Sequence, residues 1–255
     1  MRLDRRLVAD GAFESRAKAR AAIDAGAVRV DGAVARKAGA LVAPAHVVAV
    51  DPGAPSGVSR GGVKLAAALD RFAVDPAGRV ALDLGASTGG FTEVLLQRGA
   101  ARVFAVDVGR GQLHAALAAD PRVVNLEKTH AKDLSPALIN PAPSLIVCDV
   151  SFISLKKAAP PALALAAPGA RLVALVKPQF EVGPARIGKG GRVKEGRDNA
   201  EGVAEDMAAW LAAEPGWRAD GWIESPIRGG DGNREFLLAG THLAETHLAE
   251  THDAP

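Results

Sequence analysis

The stretch ALVKPQFEVG, residues 174–183, ends an apolar run with a lysine and then a proline. A lysine is costly to bury and simple to replace, so Lys177 at the end of a buried strand asks for a chemical reason. Three other charged residues keep similar company. Lys64, in SRGGVKLAAALDRF, falls beside the apolar stripe of Val63, Leu65, Ala68, Leu69 and Phe72 rather than opposite it. Asp149 follows SLIVC, and Glu235 follows GGDGN at the start of the last apolar run. Two amines and two carboxylates gathered at one place could form structural salt bridges. They could also do chemistry, because an amine made neutral by burial and by a second cation can take a proton.

A second chemical signal is VALDLGASTGGFTEVLL, residues 80–96, which reads as strand, glycine-rich turn and helix. Glycine lets backbone approach a ligand closely. The spacing of Gly85, Gly89 and Gly90 does not make the Gly-x-Gly-x-x-Gly dinucleotide fingerprint, and no Gly-Lys-Ser/Thr phosphate loop is present. Instead Asp83 precedes the turn and Asp107 ends the next strand in VFAVDVG. An acid on each side of the turn suits a cationic, hydroxyl-rich ligand, and S-adenosylmethionine carries an amine, a sulfonium and a ribose diol. The candidate cofactor contacts are Asp83, Gly85, Ala86, Ser87, Thr88, Gly89, Gly90, Phe91, Asp107 and Asp149. Asp133, in THAKDL after the third strand, joins them as a contact for adenine, with Leu134 able to pack on the ring.

The elements that must position these residues alternate strand and helix. Strands are expected near 79–84, 102–107, 122–126, 144–149, 170–176, 218–224 and 234–239, and helices near 62–72, 90–98, 111–119, 156–166 and 199–213. This rhythm predicts an α/β fold, an open and mostly parallel Rossmann-like sheet of seven strands with helices on both faces. Two strand-like runs joined by a Gly-rich loop close the pattern, so the last strand is expected to be antiparallel. Ligands sit outside the carboxyl ends of parallel strands, which places Asp149 and Lys177 at that edge. An antiparallel last strand starting at the same edge brings Glu235 there too.

The first fifty residues read differently. Two short helices, the second capped by Ser15 and stopped by Gly26, precede VRVDGAVA, a hairpin signal around Asp31-Gly32. Residues 1–60 carry ten Lys/Arg against six Asp/Glu, a net of +4 within a chain of net +2, which suits a polyanion-binding appendage. The expected organisation is a small α+β domain over 1–52, a linker over 53–59, a larger domain over 60–240 and a low-complexity tail over 241–255. The single cysteine, Cys148, excludes an intrachain disulfide and a cysteine zinc site. Without a secretory signal or a run long enough to span a membrane, a cytoplasmic protein is expected, with no membrane partner and no metal.

Residues 1–50, with Arg-Leu-Asp, Ser-Arg and Gly-x-Val-x-Val-Asp-Gly, resemble the RNA-binding domain first seen in ribosomal protein S4. SRGGVKL, LDLGASTGGFT, CDVSFIS, LVKPQFEVG and REFLL resemble the TlyA (hemolysin A) family of ribosomal RNA methyltransferases, whose second domain is of the FtsJ (RrmJ) type. The resemblance covers about residues 1–240. It implies S-adenosylmethionine-dependent methylation of a cytidine ribose 2′-hydroxyl in ribosomal RNA or ribosomal subunits. The family's Lys-Asp-Lys-Glu tetrad carries over to Lys64, Asp149, Lys177 and Glu235. Lys177 is then the general base or the holder of the attacking hydroxyl, Lys64 its second cation, and the two acids orient the amines. RNA contacts are expected from Arg2, Arg5, Arg6, Arg16, Lys18 and Arg20, from Arg60, and from Lys189 and Arg192 in the basic loop 185–199. Phe152 either stacks on the target nucleotide or covers the core. Two other readings remain. A base N-methyltransferase would share the spacing of DVSF but has no need of both lysines. An RNA-binding assembly factor would keep the fold without the chemistry.

Overall fold

The computed structural model describes residues 1–13, 16–24, 26–50, 61–188, 191, 193 and 200–243. Ser15, the expected linker, Arg60, Lys189, Arg192 and the tail beyond 243 lie outside the described residues, as does the side chain of Lys18.

In the N-terminal part, α1 (Leu3–Ala9) and α2 (Arg16–Asp24) precede β1 (Val28–Val30), β2 (Ala33–Val34) and β3 (Val48–Val50). The strands form an antiparallel sheet in the order β2-β1-β3. Asp31 and Gly32 both have positive φ, at 50° and 82°, as a tight hairpin turn between right-twisted strands requires. Leu3, Leu7, Phe13, Ala19, Ile23 and Val28 form a small core between the helices and the sheet.

The larger part begins with α3 (Gly61–Arg71) and continues through β4 (Val80–Leu84), α4 (Gly90–Gln97), β5 (Arg102–Asp107), α5 (Ala115–Ala118), β6 (Val123–Glu127) and β7 (Leu145–Cys148). It then runs through α6 (Leu155–Ala158), α7 (Pro160–Leu163), β8 (Arg171–Val176), α8 (Pro178–Glu181), α9 (Ala200–Ala213), β9 (Trp217–Glu224) and β10 (Phe236–His242). The strand order β6-β5-β4-β7-β8-β10-β9 is that of a seven-stranded sheet. β4 to β8 pair in parallel, and β10 runs antiparallel between β8 and β9, as expected from the closing hairpin. Successive strand residues face opposite sides. Leu82, Ile146, Leu172 and Ala174 therefore join one core with α9 residues, while Ala81, Leu145, Val173 and Leu175 join another with α3 and α4.

The expected elements are in place with local exceptions. Residues 111–114 are not helical, because the Glu127 carboxylate accepts from the backbone N–H groups of Gly111 and Gln112 at 2.7 and 2.8 Å. The helix expected over 156–166 is two short pieces broken at Pro160-Pro161, since proline cannot continue a helix from within. Glu235 precedes β10 instead of opening it, and its carbonyl accepts from Ser225 N–H at 2.9 Å. Among the described residues no helix is long and apolar enough to cross a membrane.

Candidate active site

The strand order reverses between β4 and β7, both flanked by parallel neighbours. Their registers match Leu84 with Val106 and Cys148, and Cys148 with Ala174. The next residues along each strand therefore rise together at one edge: Gly85 after β4, Asp107 at the end of β5, Asp149 after β7 and, beyond Val176, Lys177 after β8. Such a switch point opens a crevice for ligands.

The glycine turn is built for close approach. Gly85 has φ +88°, and a Cβ there would lie 2.6 Å from the Asp149 carbonyl oxygen, so the turn touches the end of β7. Gly89, the N-cap of α4, has φ +99°, and its Cβ would overlap Leu117 and Leu113. Beneath the turn Asp83 is fully buried, with Oδ2 accepting from the Thr92 hydroxyl at 2.6 Å. Its Oδ1 is buried with no hydrogen-bond partner among the described residues. Burial pushes the Asp83 carboxyl up to about 7, and the Thr92 hydrogen bond opposes that rise while the nearby Asp149 charge adds to it. Asp107 ties the turn to the next loop, accepting from Ser87 N–H at 2.8 Å and Gly109 N–H at 2.7 Å.

Two cavities meet here. The larger, about 620 Å³, is lined by Gly85, Ser87, Asp107, Val108, Gln112, His130, Lys132, Asp149, Phe152, Ile153 and Lys157 among others. The smaller, about 150 Å³, is lined by Gly61, Gly85, Ala86, Ser87, Thr88, Gly90, Phe91, Asp149, Ser151 and Lys177. Gly85, Ser87, Asp149 and Ser151 belong to both. Asp83 and Gly89 support the turn without lining either cavity. Asp133 is exposed and outside both linings, whereas His130, Ala131 and Lys132 just before it line the larger one. Val108, Gln112, His130 and Lys157 escaped the sequence reading. Val108 stands directly after β5, and Gln112 and His130 lie in the loops that follow β5 and β6 at the ligand edge, which is the positional signal that would have found them.

The tetrad is arranged as two ion pairs. Lys177 Nζ lies 2.6 Å from Asp149 Oδ1 and donates to Ser151 Oγ at 2.7 Å. Lys64 pairs with Glu235, both buried. Each amine thus has its own carboxylate. Glu235 is also boxed in by backbone, because a Cβ at Gly229 would lie 2.6 Å from its Oε1. Lys177 is extended at φ −113° and ψ 98°, the region favoured before a proline. Phe152 is 91% exposed with φ +64°, so it does not cover the core, and its ring lies 5.3 Å from that of Phe180. Cys148 is a buried core residue of β7.

In the N-terminal part the arginines are ordered by acids. Asp4 is buried and accepts from Arg2 at 3.0 and 3.1 Å and from Arg16 at 2.8 and 3.2 Å. Those guanidiniums, Arg2 first, hold the Asp4 carboxyl well below the usual carboxylate range. Arg6 pairs with Asp10 at 2.6 Å. Arg5 and Arg20 are exposed.

The family model for FtsJ-like methyltransferases matches residues 57–242, and that for the S4 domain matches residues 1–48. A Mycobacterium tuberculosis protein named 16S/23S rRNA (cytidine-2′-O)-methyltransferase TlyA is 47% identical over 93% of this chain and 88% of its own length. Hemolysin A of Brachyspira hyodysenteriae is 39% identical over 93% of this chain and 98% of its own. A solved structure from Streptococcus thermophilus superposes with a TM-score of 0.70 at 38% identity, covering 95% of this chain and 88% of that one. With its sheet order, its S4 and FtsJ-like parts and relatives alike along nearly its whole length, the chain belongs to the TlyA family of FtsJ-like methyltransferases.

Proposed function

We propose that this protein transfers a methyl group from S-adenosylmethionine to a cytidine ribose 2′-hydroxyl of ribosomal RNA, and that it works in the cytoplasm on RNA or ribosomal subunits held by its basic N-terminal domain. The observation that carries this reading is Lys177, held between Asp149 and Ser151 on the wall of the smaller cavity, which shares those two residues with the larger one.

The residues present suit the cofactor. Asp107 faces the larger cavity with carboxylate lone pairs able to accept from a ribose diol, and buried Asp83, whose Oδ1 has no partner among the described residues, supports the turn from beneath. Gly85 to Phe91 would flank the methionine end, where the two cavities join. Bound there, S-adenosylmethionine supplies an electrophilic methyl group on a sulfonium. The chain's own task is alignment and proton removal. Lys177 Nζ, fixed by Asp149, holds the attacking 2′-oxygen in line with the methyl carbon. As the free amine, Lys177 takes the hydroxyl proton while the new carbon–oxygen bond forms and the methyl's carbon–sulfur bond breaks, leaving a neutral thioether. Lys64 and Glu235 stabilise the neighbouring backbone and α3 through their buried pair. Exposed Phe152 at the rim offers an aromatic face for stacking the target nucleotide, a contact that tolerates any base.

The test is tritiated methyl transfer to ribosomal subunits lacking the modification, with nuclease mapping of the methyl group. Lys177→Ala is expected to lose about 10²–10⁴-fold in kcat while cofactor and RNA still bind. Near-wild-type transfer by that variant would sink the assignment, and a methyl group mapped to a base would favour N-methylation.

A further inference from the structure

The chain runs that follow β7 and β8 are laced together, and one of the ties lies outside the charged tetrad. Lys177 meets Asp149 and Ser151, and Phe180 meets Phe152. Beyond these, Glu181 at the end of α8 reaches across to the start of α6. Its Oε2 accepts from the Ser154 hydroxyl at 2.6 Å and its Oε1 from Leu155 N–H at 2.8 Å. Ser154 in turn caps α6 by accepting from Lys156 N–H at 3.2 Å. Both carboxylate oxygens are thus engaged within the protein. Between the anchor points at Asp149 and Ser154 the chain carries Ser151 and Phe152. Phe152 at φ +64° is in a conformation that persists only where the surroundings over-determine it.

We infer that Glu181 is a positioning residue for methyl transfer: it registers the Ser151–Phe152 turn against Lys177, so that amine, hydroxyl and exposed ring meet the target nucleotide in one geometry. The inference rests on the 2′-hydroxyl reading proposed above. The tie requires an acceptor for Leu155 N–H and a partner for the Ser154 hydroxyl at the reach of a glutamate, and it does not require charge. Glutamine supplies both, its amide donating to Ser154 Oγ, whereas aspartate keeps the charge and falls one methylene short.

The experiment compares kcat, KM for RNA, cofactor affinity and thermal midpoint for the wild type, Glu181→Ala, Glu181→Asp and Glu181→Gln. Misplacement of a reacting group by about 1 Å can cost about 10²-fold. Accordingly kcat is expected to fall roughly 10–100-fold in the Ala and Asp variants, with cofactor affinity and thermal midpoint little changed, and to recover in Glu181→Gln to within about threefold of wild type. Ser154→Ala, which deletes one of the two bonds, is measured alongside in case Glu181→Ala folds poorly, and its kcat should fall part of the way. Equal losses in Gln and Ala, unchanged kcat in Ala and Ser154→Ala, or a loss matched by lost cofactor binding would each overturn the inference. Wild-type protein that methylates no ribose overturns the 2′-hydroxyl reading and this inference with it. An active wild type with indifferent variants overturns the inference alone.

Discussion

At the scale of single residues, Asp83 shows how one burial event can couple stability to pH. Its alternating strand position turns the carboxyl inward against Thr92, where water cannot reach it. The folded carboxyl titrates near 7, the unfolded one near its ordinary value. The native state therefore binds the extra proton between those limits, and stability falls as pH rises through that window. A gap of this size corresponds to an upper figure on the order of 4 kcal/mol. Asp83→Asn keeps an acceptor for the Thr92 hydroxyl and cannot ionise. Without cofactor, its thermal midpoint should gain on the wild type as pH is raised from about 5 to about 8. A difference between the two proteins that does not vary with pH would exclude this account. The type and position of Asp83 were legible before the structure, because an acid two residues before a glycine turn is conspicuous. That its Oδ1 has no partner among the described residues was not, since that depends on which side chains the helix opposite presents.

At the scale of elements, the junction between β4 and β7 fixes where the two cavities meet. Gly85 is required there by conformation and by space together, with positive φ and the Asp149 carbonyl on the side a Cβ would occupy. Gly85→Ala should cost roughly 1–3 kcal/mol in chemical denaturation from the strained backbone alone, and should weaken cofactor binding further by pushing the two strand ends apart. Unchanged denaturation and unchanged cofactor affinity would show that the junction yields easily. The alternation of strands and helices could be read from periodicity, and so could the antiparallel closing hairpin. The break at Pro160-Pro161 was open to the same reasoning and was missed, because the apolar pattern continues across it. The loss of helix over 111–114 was beyond sequence reasoning, since the competing acceptor, Glu127, comes from the end of another strand.

At the scale of the whole molecule, the proposed function gives RNA binding to the S4 part of the chain and methyl transfer to the FtsJ-like part. Asp4 holds Arg2 and Arg16 in fixed directions while leaving both side chains about half exposed, at 46% and 52%. Pre-ordered arginines lose less freedom on meeting phosphate. Replacing Arg2 or Arg16 by alanine should raise KM for RNA with kcat nearly unchanged. Each replacement should also lower the slope of log affinity against log salt by about 0.7–0.9. Titrations of RNA binding at several salt concentrations, run beside kinetics, measure both. A fall in kcat at constant KM would instead place these arginines in the chemical step. By itself the amino-acid sequence determined the fold class and the two kinds of module and brought Asp149, Lys177 and Glu235 to one edge, because periodicity, glycine spacing and charged residues at strand ends are local properties of the chain. Only the tertiary structure decided that the tetrad divides into Lys177–Asp149 and Lys64–Glu235, that His130 and Lys132 rather than Asp133 line the cavity, and that Glu181 ties two loops together. Pairing between residues as far apart in the chain as Lys64 and Glu235 is set by how helices and strand ends pack across the sheet, and no spacing along the chain encodes it.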